Sequence, residues 1–352
     1  MNELDVNPQS SPEQTSAVGS EERSGQSSVQ SPAPAPSAPE FAVATQPSYA
    51  RTLFLGPDGL RPGWGIAFYV VMFFLLQKFV VQWAWSHDFG VGGLWSMMLE
   101  EFGDLVTAVT LAVVLARVEQ RPWRVYGLPA KQALGRLFWV GAFWGFAGIS
   151  LLMSALYGLH AFALGHLVLH GARIARFAAF WAVMFLLVGL FEEFLLRGYL
   201  QFTLARGIGF WPAAAGLSAG FGLIHLRNDG EHLPGVLAAA LIGFFFCVTL
   251  RRTGNLWFAV GFHAAWDWGE TFFYSVPDSG TVWRGHLLSS SLHGADWLTG
   301  GSVGPEGSVL CFVVIAAIWI AFDWVFPRAH ALPDHATPLP TAAGSSPLHS
   351  PE

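Results

Sequence analysis

Eight runs of mostly apolar residues follow one another along the chain. They lie at 64–85, 93–117, about 136–163, 177–204, 209–226, 234–250, 255–275 and 307–326. A helix needs roughly 20 such residues to cross the hydrocarbon of a bilayer, and most of the runs reach that length. Two are weaker: 209–226 is rich in small residues, and 234–250 is short. Helices of this kind hold only inside a bundle, where Gly and Ala let backbones approach closely. The pattern predicts an all-α, polytopic membrane bundle of about eight transmembrane helices. The polar ends do not join it. Residues 1–50 are rich in Ser, Pro, Gln and Ala with no apolar run, so they cannot bury enough surface to offset chain entropy. That tail and 327–352 are expected to be disordered. Between them lie an N-terminal helical part with a cytoplasmic amphipathic segment, 51–175, and a second membrane part, 176–326.

Composition agrees with a membrane protein: 53% of residues are hydrophobic and only 12% charged, against about a quarter charged in soluble domains. The net charge of −6 sits in the tails. Residues 1–50 hold six acids against Arg23, and 327–352 hold Asp334 and Glu352 against Arg328. The rest is neutral, with none of the clustered basic face that nucleic acid requires. Cys247 and Cys311 both lie in apolar runs, so no disulfide framework is expected. The tail lacks the basic and apolar regions of a signal peptide, which leaves insertion to the first span. Orientation follows from Lys and Arg. The densest basic loop, Arg117, Arg121, Arg124, Lys131 and Arg136, lies between the second and third runs. Placing it inside puts both termini in the cytoplasm. The expected setting is therefore multi-pass in the cell (inner) membrane. The segment 121–135 is too polar to span and is expected to lie at the cytoplasmic surface as a short amphipathic element.

Ionisable residues at membrane depth are costly, and three places carry them. In the fourth run stands Phe191-Glu192-Glu193-Phe194-Leu195-Leu196-Arg197. On a helix, Glu193 and Arg197 are i,i+4 neighbours in the favourable order. Glu192 points about 100° away and has no such partner. A structural ion pair accounts for Glu193 and Arg197, but an adjacent unpaired glutamate is harder to explain that way and suits a general base. The fifth run ends at His225, which alone would read as a hydrogen-bonded helix-end histidine. In the seventh run, His263 and Asp267 share a helical face at i,i+4, a spacing equally suited to a structural bond. Together these residues suffice to activate water and stabilise an oxyanion in amide hydrolysis. No Ser or Cys in the three motifs sits beside a base as a nucleophile would. Glu100, Glu101 and Asp104 are expected to mark the solvated end of the second run, the alternative being that they line the internal cavity. The remaining acids and histidines of the loops call for no special account.

The order EExxxR, FxxxH, HxxxN/D, each in a hydrophobic helix, resembles the CAAX protease and bacteriocin-processing family, which includes the type II CAAX prenyl endopeptidases. The stretch LRRTGNLWFAVGFHAAWDW (250–268) is similar to the family's approach to its third motif, and WLTGGSVGPEGS (297–308) resembles bacterial members with less specificity. The resemblance covers about residues 177–272. It implies an intramembrane endopeptidase acting on a membrane-associated, lipidated or prenylated CAAX-type protein. It implies that Glu192 and His225 hold and activate the water, that Glu193 with Arg197 supports them, and that His263 and residue 267 stabilise the oxyanion. The family often has Asn where Asp267 stands, and Asp donates a hydrogen bond only when protonated. Asp267 is accordingly either such a donor or a group that orients His263. Zinc held by Glu192, His225 and His263 is chemically possible, beside a metal-free account. His166 and His170 lack the acid of a HExxH motif and read as interfacial. Rival readings are a proton-coupled transporter and a catalytically silent scaffold or immunity protein of the same fold.

Overall fold

A computed structural model describes residues 49–327 except 57–58, 88–92 and 229. The tails expected to be disordered lie outside the described residues apart from 49–50 and 327. All eight apolar runs are helices. We label them α1 (Pro62–Ser86), α2 (Leu94–Val118), α3 (Arg136–Gly158), α4 (Ala172–Ile208), α5 (Phe210–His225), α6 (Leu233–Thr253), α7 (Trp257–Asp267, continued by a π-turn, Trp268–Tyr274) and α8 (Val309–Val325). The chain is an all-α membrane bundle. By length and composition α1, α3, α4 and α6 can each cross a membrane, so the run at 234–250 is a stronger span than its sequence suggested. The other weak run, α5, remains short at 16 residues.

Segment 121–135 departs from expectation. In place of one amphipathic element it forms two 3-10 turns, Trp123–Tyr126 and Ala130–Gln132. Pro122 and Pro129 each precede a turn, and Gly127 between them takes a left-handed backbone at φ 82°. Pro restricts its own φ and removes a donor, so a continuous helix cannot form here.

Two features position the functional residues. α3 and α7 touch backbone to backbone. A Cβ placed on Gly141 or Gly145 would sit 2.0 or 2.1 Å from the carbonyl oxygens of Phe258 and Phe262, and one on Gly261 would sit 2.1 Å from that of Phe138. Small residues at four-residue spacing allow this approach, as is common in membrane bundles. The second feature is the length of α4, 37 residues through a π-turn at Leu195–Leu200. Its far end is fixed by Glu119, whose buried carboxylate accepts from Arg206 Nη2 at 2.9 Å and from the Tyr199 hydroxyl at 2.8 Å. Glu192 therefore lies near the middle of a long helix.

Among the described residues, strand is confined to short antiparallel pairs. One of them, Phe162–Ala163 with Ser291–Leu292, ties the α3–α4 connection to the long α7–α8 connection.

Candidate active site

Each chemical motif lies where a helix departs from regular geometry or ends. Glu192 and Glu193 close the regular part of α4 just before its π-turn. Arg197 lies within that turn, beside Gly198, whose ψ of −115° is not helical. His263 and Asp267 precede the second π-turn, at the end of α7, and His225 is the last residue of α5. Such turns free backbone groups and re-aim side chains, and they recur at functional sites.

The six residues implied by the motifs divide into two layers. Glu193 and Arg197 are wholly buried, with Nη1 donating to Oε1 at 3.1 Å. The guanidinium carbon lies 4.7 Å from the ring centroid of Phe221, a cation–π contact with the face of an aromatic ring. The same Oε1 accepts from His263 Nδ1 at 3.2 Å. This bond fixes the ring, which also stacks on Phe246 at 6.1 Å. The orienting role considered for Asp267 thus has another holder, Glu193. His263 Nε2 is left facing Asp267 Oδ2 at 3.4 Å and Glu192 Oε2 at 3.6 Å.

Glu192, His225, His263 and Asp267 line one cavity of about 380 Å³. His225 uses Nδ1 to donate to the Phe221 carbonyl at 2.8 Å, which leaves Nε2 to accept within the cavity. Apolar side chains, Phe185, Val188, Ile242 and Phe246 among them, form much of the remaining wall. The long α4 brings Glu192 level with His225, although straight, upright helices would have set the two at opposite ends.

Other acids lie at or beside this cavity. Glu101 of α2 lines it, and Asp104 is 3% exposed and accepts from Gln77 Nε2 at 3.0 Å. These residues do not mark a solvated helix end; α2 turns them inward. From the α7–α8 connection come Asp278 and Glu306, which line the cavity too. Burial, then Glu306, pushes the Asp278 carboxyl up to about 7. Burial likewise raises Glu306. The loop acids do call for an account, against expectation. The sequence carries two signals of it: Glu306 within WLTGGSVGPEGS, and Glu270, a further acid inside the apolar run 255–275.

Among the described residues, the group of metal-ligating side chains with atoms mutually within 4.8 Å is Asp267, Asp278 and Glu306. Glu192, His225 and His263 do not close to that spacing as a trio, and His263 spends Nδ1 on Glu193. As placed, they are no preformed zinc site. His166 and His170 are exposed, and His166 Nδ1 meets Ser289 Oγ at 2.9 Å. Cys247 and Cys311 are buried free thiols.

No curated protein and no solved structure matches the chain. Residues 174–269 match the family described as type II CAAX prenyl endopeptidase, Rce1-like. That segment begins at the start of α4 and ends just past Asp267, and it contains all three motifs. Through this segment, the chain is similar to the CAAX protease and bacteriocin-processing family.

Proposed function

We propose that the protein is an intramembrane endopeptidase that hydrolyses a peptide bond by a water held between Glu192 and His225. The observation that carries this reading is convergence. Three motifs on separate helices meet at one cavity, with the carboxylate of Glu192 partly exposed, at 28%, and 3.6 Å from His263 Nε2. In the forward step, the Glu192 carboxylate takes a proton from water as its oxygen bonds to the scissile carbonyl carbon. His225 Nε2 accepts the second water hydrogen and aims the lone pair. The carbonyl oxygen becomes an oxyanion beside His263, whose Nε2–H donates to it. Collapse re-forms the carbonyl and breaks the C–N bond, and Glu192 passes its proton to the departing amine. Glu193 and Arg197 act through His263 by fixing its ring. No step here is routed through zinc.

The apolar wall supports a membrane-associated or lipidated substrate, such as a prenylated CAAX-type protein, whose hydrocarbon lies against Phe185 and Val188. We place the enzyme in the cell membrane with both termini cytoplasmic, on the Lys and Arg distribution. The test is the purified protein in liposomes with a farnesylated CAAX peptide and its unprenylated counterpart, read by mass spectrometry. Cleavage by wild type that is lost in Glu192→Gln supports the proposal. Equal cleavage by both proteins overturns it.

A further inference from the structure

The α7–α8 connection, residues 275–308, approaches the cavity twice. Asp278 arrives just after the π-turn of α7, and Glu306 just before α8. Both meet Asp267, so that one carboxylate oxygen from each of the three lies within 4.8 Å of the others. Asp267 Oδ2 also faces His263 Nε2 at 3.4 Å, and the other side-chain partners of Asp278 and Glu306 are hydroxyl groups. Thr271 Oγ1 donates to Asp278 Oδ2 at 2.8 Å, and Ser279 Oγ donates to Glu306 Oε2 at 3.2 Å. Each bond aims its carboxylate and leaves a second oxygen free.

The loop is built to hold this approach. Gly300 and Gly304 take left-handed backbones at φ 83° and 111°, and a Cβ on Gly304 would lie 2.1 Å from the Pro277 carbonyl oxygen. Only glycine fits there, and its chain carries Glu306 two residues on.

A second observation comes from a fourth acid. Glu270 lies one turn after Asp267 and is 0% exposed. Trp266 Nε1 donates to its Oε2 at 3.0 Å, but Oε1 is buried with no hydrogen-bond partner. That oxygen faces the Gly304 backbone, 3.3 Å from where a Cβ would stand. Its carboxyl acts electrostatically on Glu306, Asp278 and Asp267, in that order of strength. The nitrogen-bearing side chains that act on the cluster are the imidazoles of His225 and His263. Buried carboxylates this close require compensation by protons or by a cation.

We propose that Asp267, Asp278 and Glu306, backed by the open oxygen of Glu270, bind a hard divalent cation of the Ca²⁺ or Mg²⁺ type on the cavity wall. The donors are all oxygen and come from separate carboxylates, the set that hard cations take and that zinc does not prefer. The site accounts for Asp at position 267, since a neutral Asn there would remove one of three anionic ligands. It stands apart from the proteolytic reading, because it needs only the carboxylate cluster and the loop that closes it.

The test uses full-length protein in detergent, stripped with chelator and then titrated separately with CaCl₂, MgCl₂ and ZnCl₂. Equilibrium dialysis and thermal unfolding are the readouts, and neither depends on peptidase activity. The expected result is one Ca²⁺ or Mg²⁺ bound saturably per chain, with a rise in Tm. Asp278→Asn and Glu306→Gln should each weaken binding tenfold or more, while Asp323→Asn, at the far end of α8, leaves it unchanged. Should either cluster variant fail to fold, the wild-type stoichiometry and the other variant still decide. The proposal is overturned if wild type binds neither ion saturably, which would leave protons shared among the acids. It is equally overturned if binding survives in both folded variants, or if only Zn²⁺ binds and Glu192→Gln abolishes it.

Discussion

Removing Arg197 should expose how much of the fold rests on one buried pair. Arg197 and Glu193 are both wholly inaccessible, with a nitrogen–oxygen distance of 3.1 Å. At that separation, with an effective dielectric of about 20, the Coulomb attraction is on the order of 5 kcal/mol. Desolvation of both groups offsets much of it, so the net value of the pair is small. Losing one partner differs, because the other stays buried without compensation. Arg197→Met keeps most of the volume beneath Phe221 while deleting the charge, and should cost about 3–5 kcal/mol. Glu193→Gln should cost a similar amount, since Arg197 Nε and Nη2 have no other hydrogen-bond partner. The double variant should recover much of the loss, for a coupling of roughly 2 kcal/mol or more. Thermal or denaturant unfolding of the four purified proteins in one detergent supplies the cycle. Coupling within about 0.5 kcal/mol, the scatter of independent sites, would refute the pairing as a unit. A functional readout follows from the same carboxylate. Because Glu193 Oε1 also holds His263 Nδ1, the Glu193 variants should lose kcat more than they raise KM.

Glu192→Gln should lower kcat by at least about 100-fold, the low end for a lost general base, with Tm near wild type because Glu192 is partly exposed and outside the buried pair. A matching fall in Tm would mean that the residue is structural. Asp267→Asn should retain peptidase activity at pH 7, since His263 Nε2–H is the group that meets the oxyanion and Glu193 still holds its ring, while losing affinity for Ca²⁺ or Mg²⁺. A large loss of activity across the whole pH–rate profile would show that the peptidase step itself needs the Asp267 carboxylate. Gly145→Ala should destabilise the protein by about 1–3 kcal/mol or more through overpacking, read as a clear fall in Tm, because its Cβ meets the Phe262 carbonyl oxygen. Gly158→Ala, which meets nothing within 4 Å, serves as the control, and equal effects would refute the close approach of α3 and α7.

The sequence by itself determined the helices, because a chain in a bilayer must satisfy its backbone hydrogen bonds within each segment. Hydropathy is therefore a local signal, and every apolar run became a helix. Local spacing was equally legible. The i,i+4 pairs Glu193–Arg197 and His263–Asp267 stand at 3.1 and 3.4 Å, because a helix sets that distance whatever surrounds it. Relations between helices were decided only in the tertiary structure. Glu193 holds His263 across 70 positions of chain, and no periodicity encodes that. The π-turns and the continuation of α4 to Ile208 raise Glu192 to the level of His225, where a regular 20-residue span would not. Asp104 looked like a helix-end acid but points inward, since the neighbouring helix supplies Gln77 as a donor. Asp278 and Glu306 reach Asp267 through a loop whose path depends on glycines packed against backbone. A loop acid reads as solvated until that path is known, because its environment is set by what folds over it and not by its neighbours in sequence.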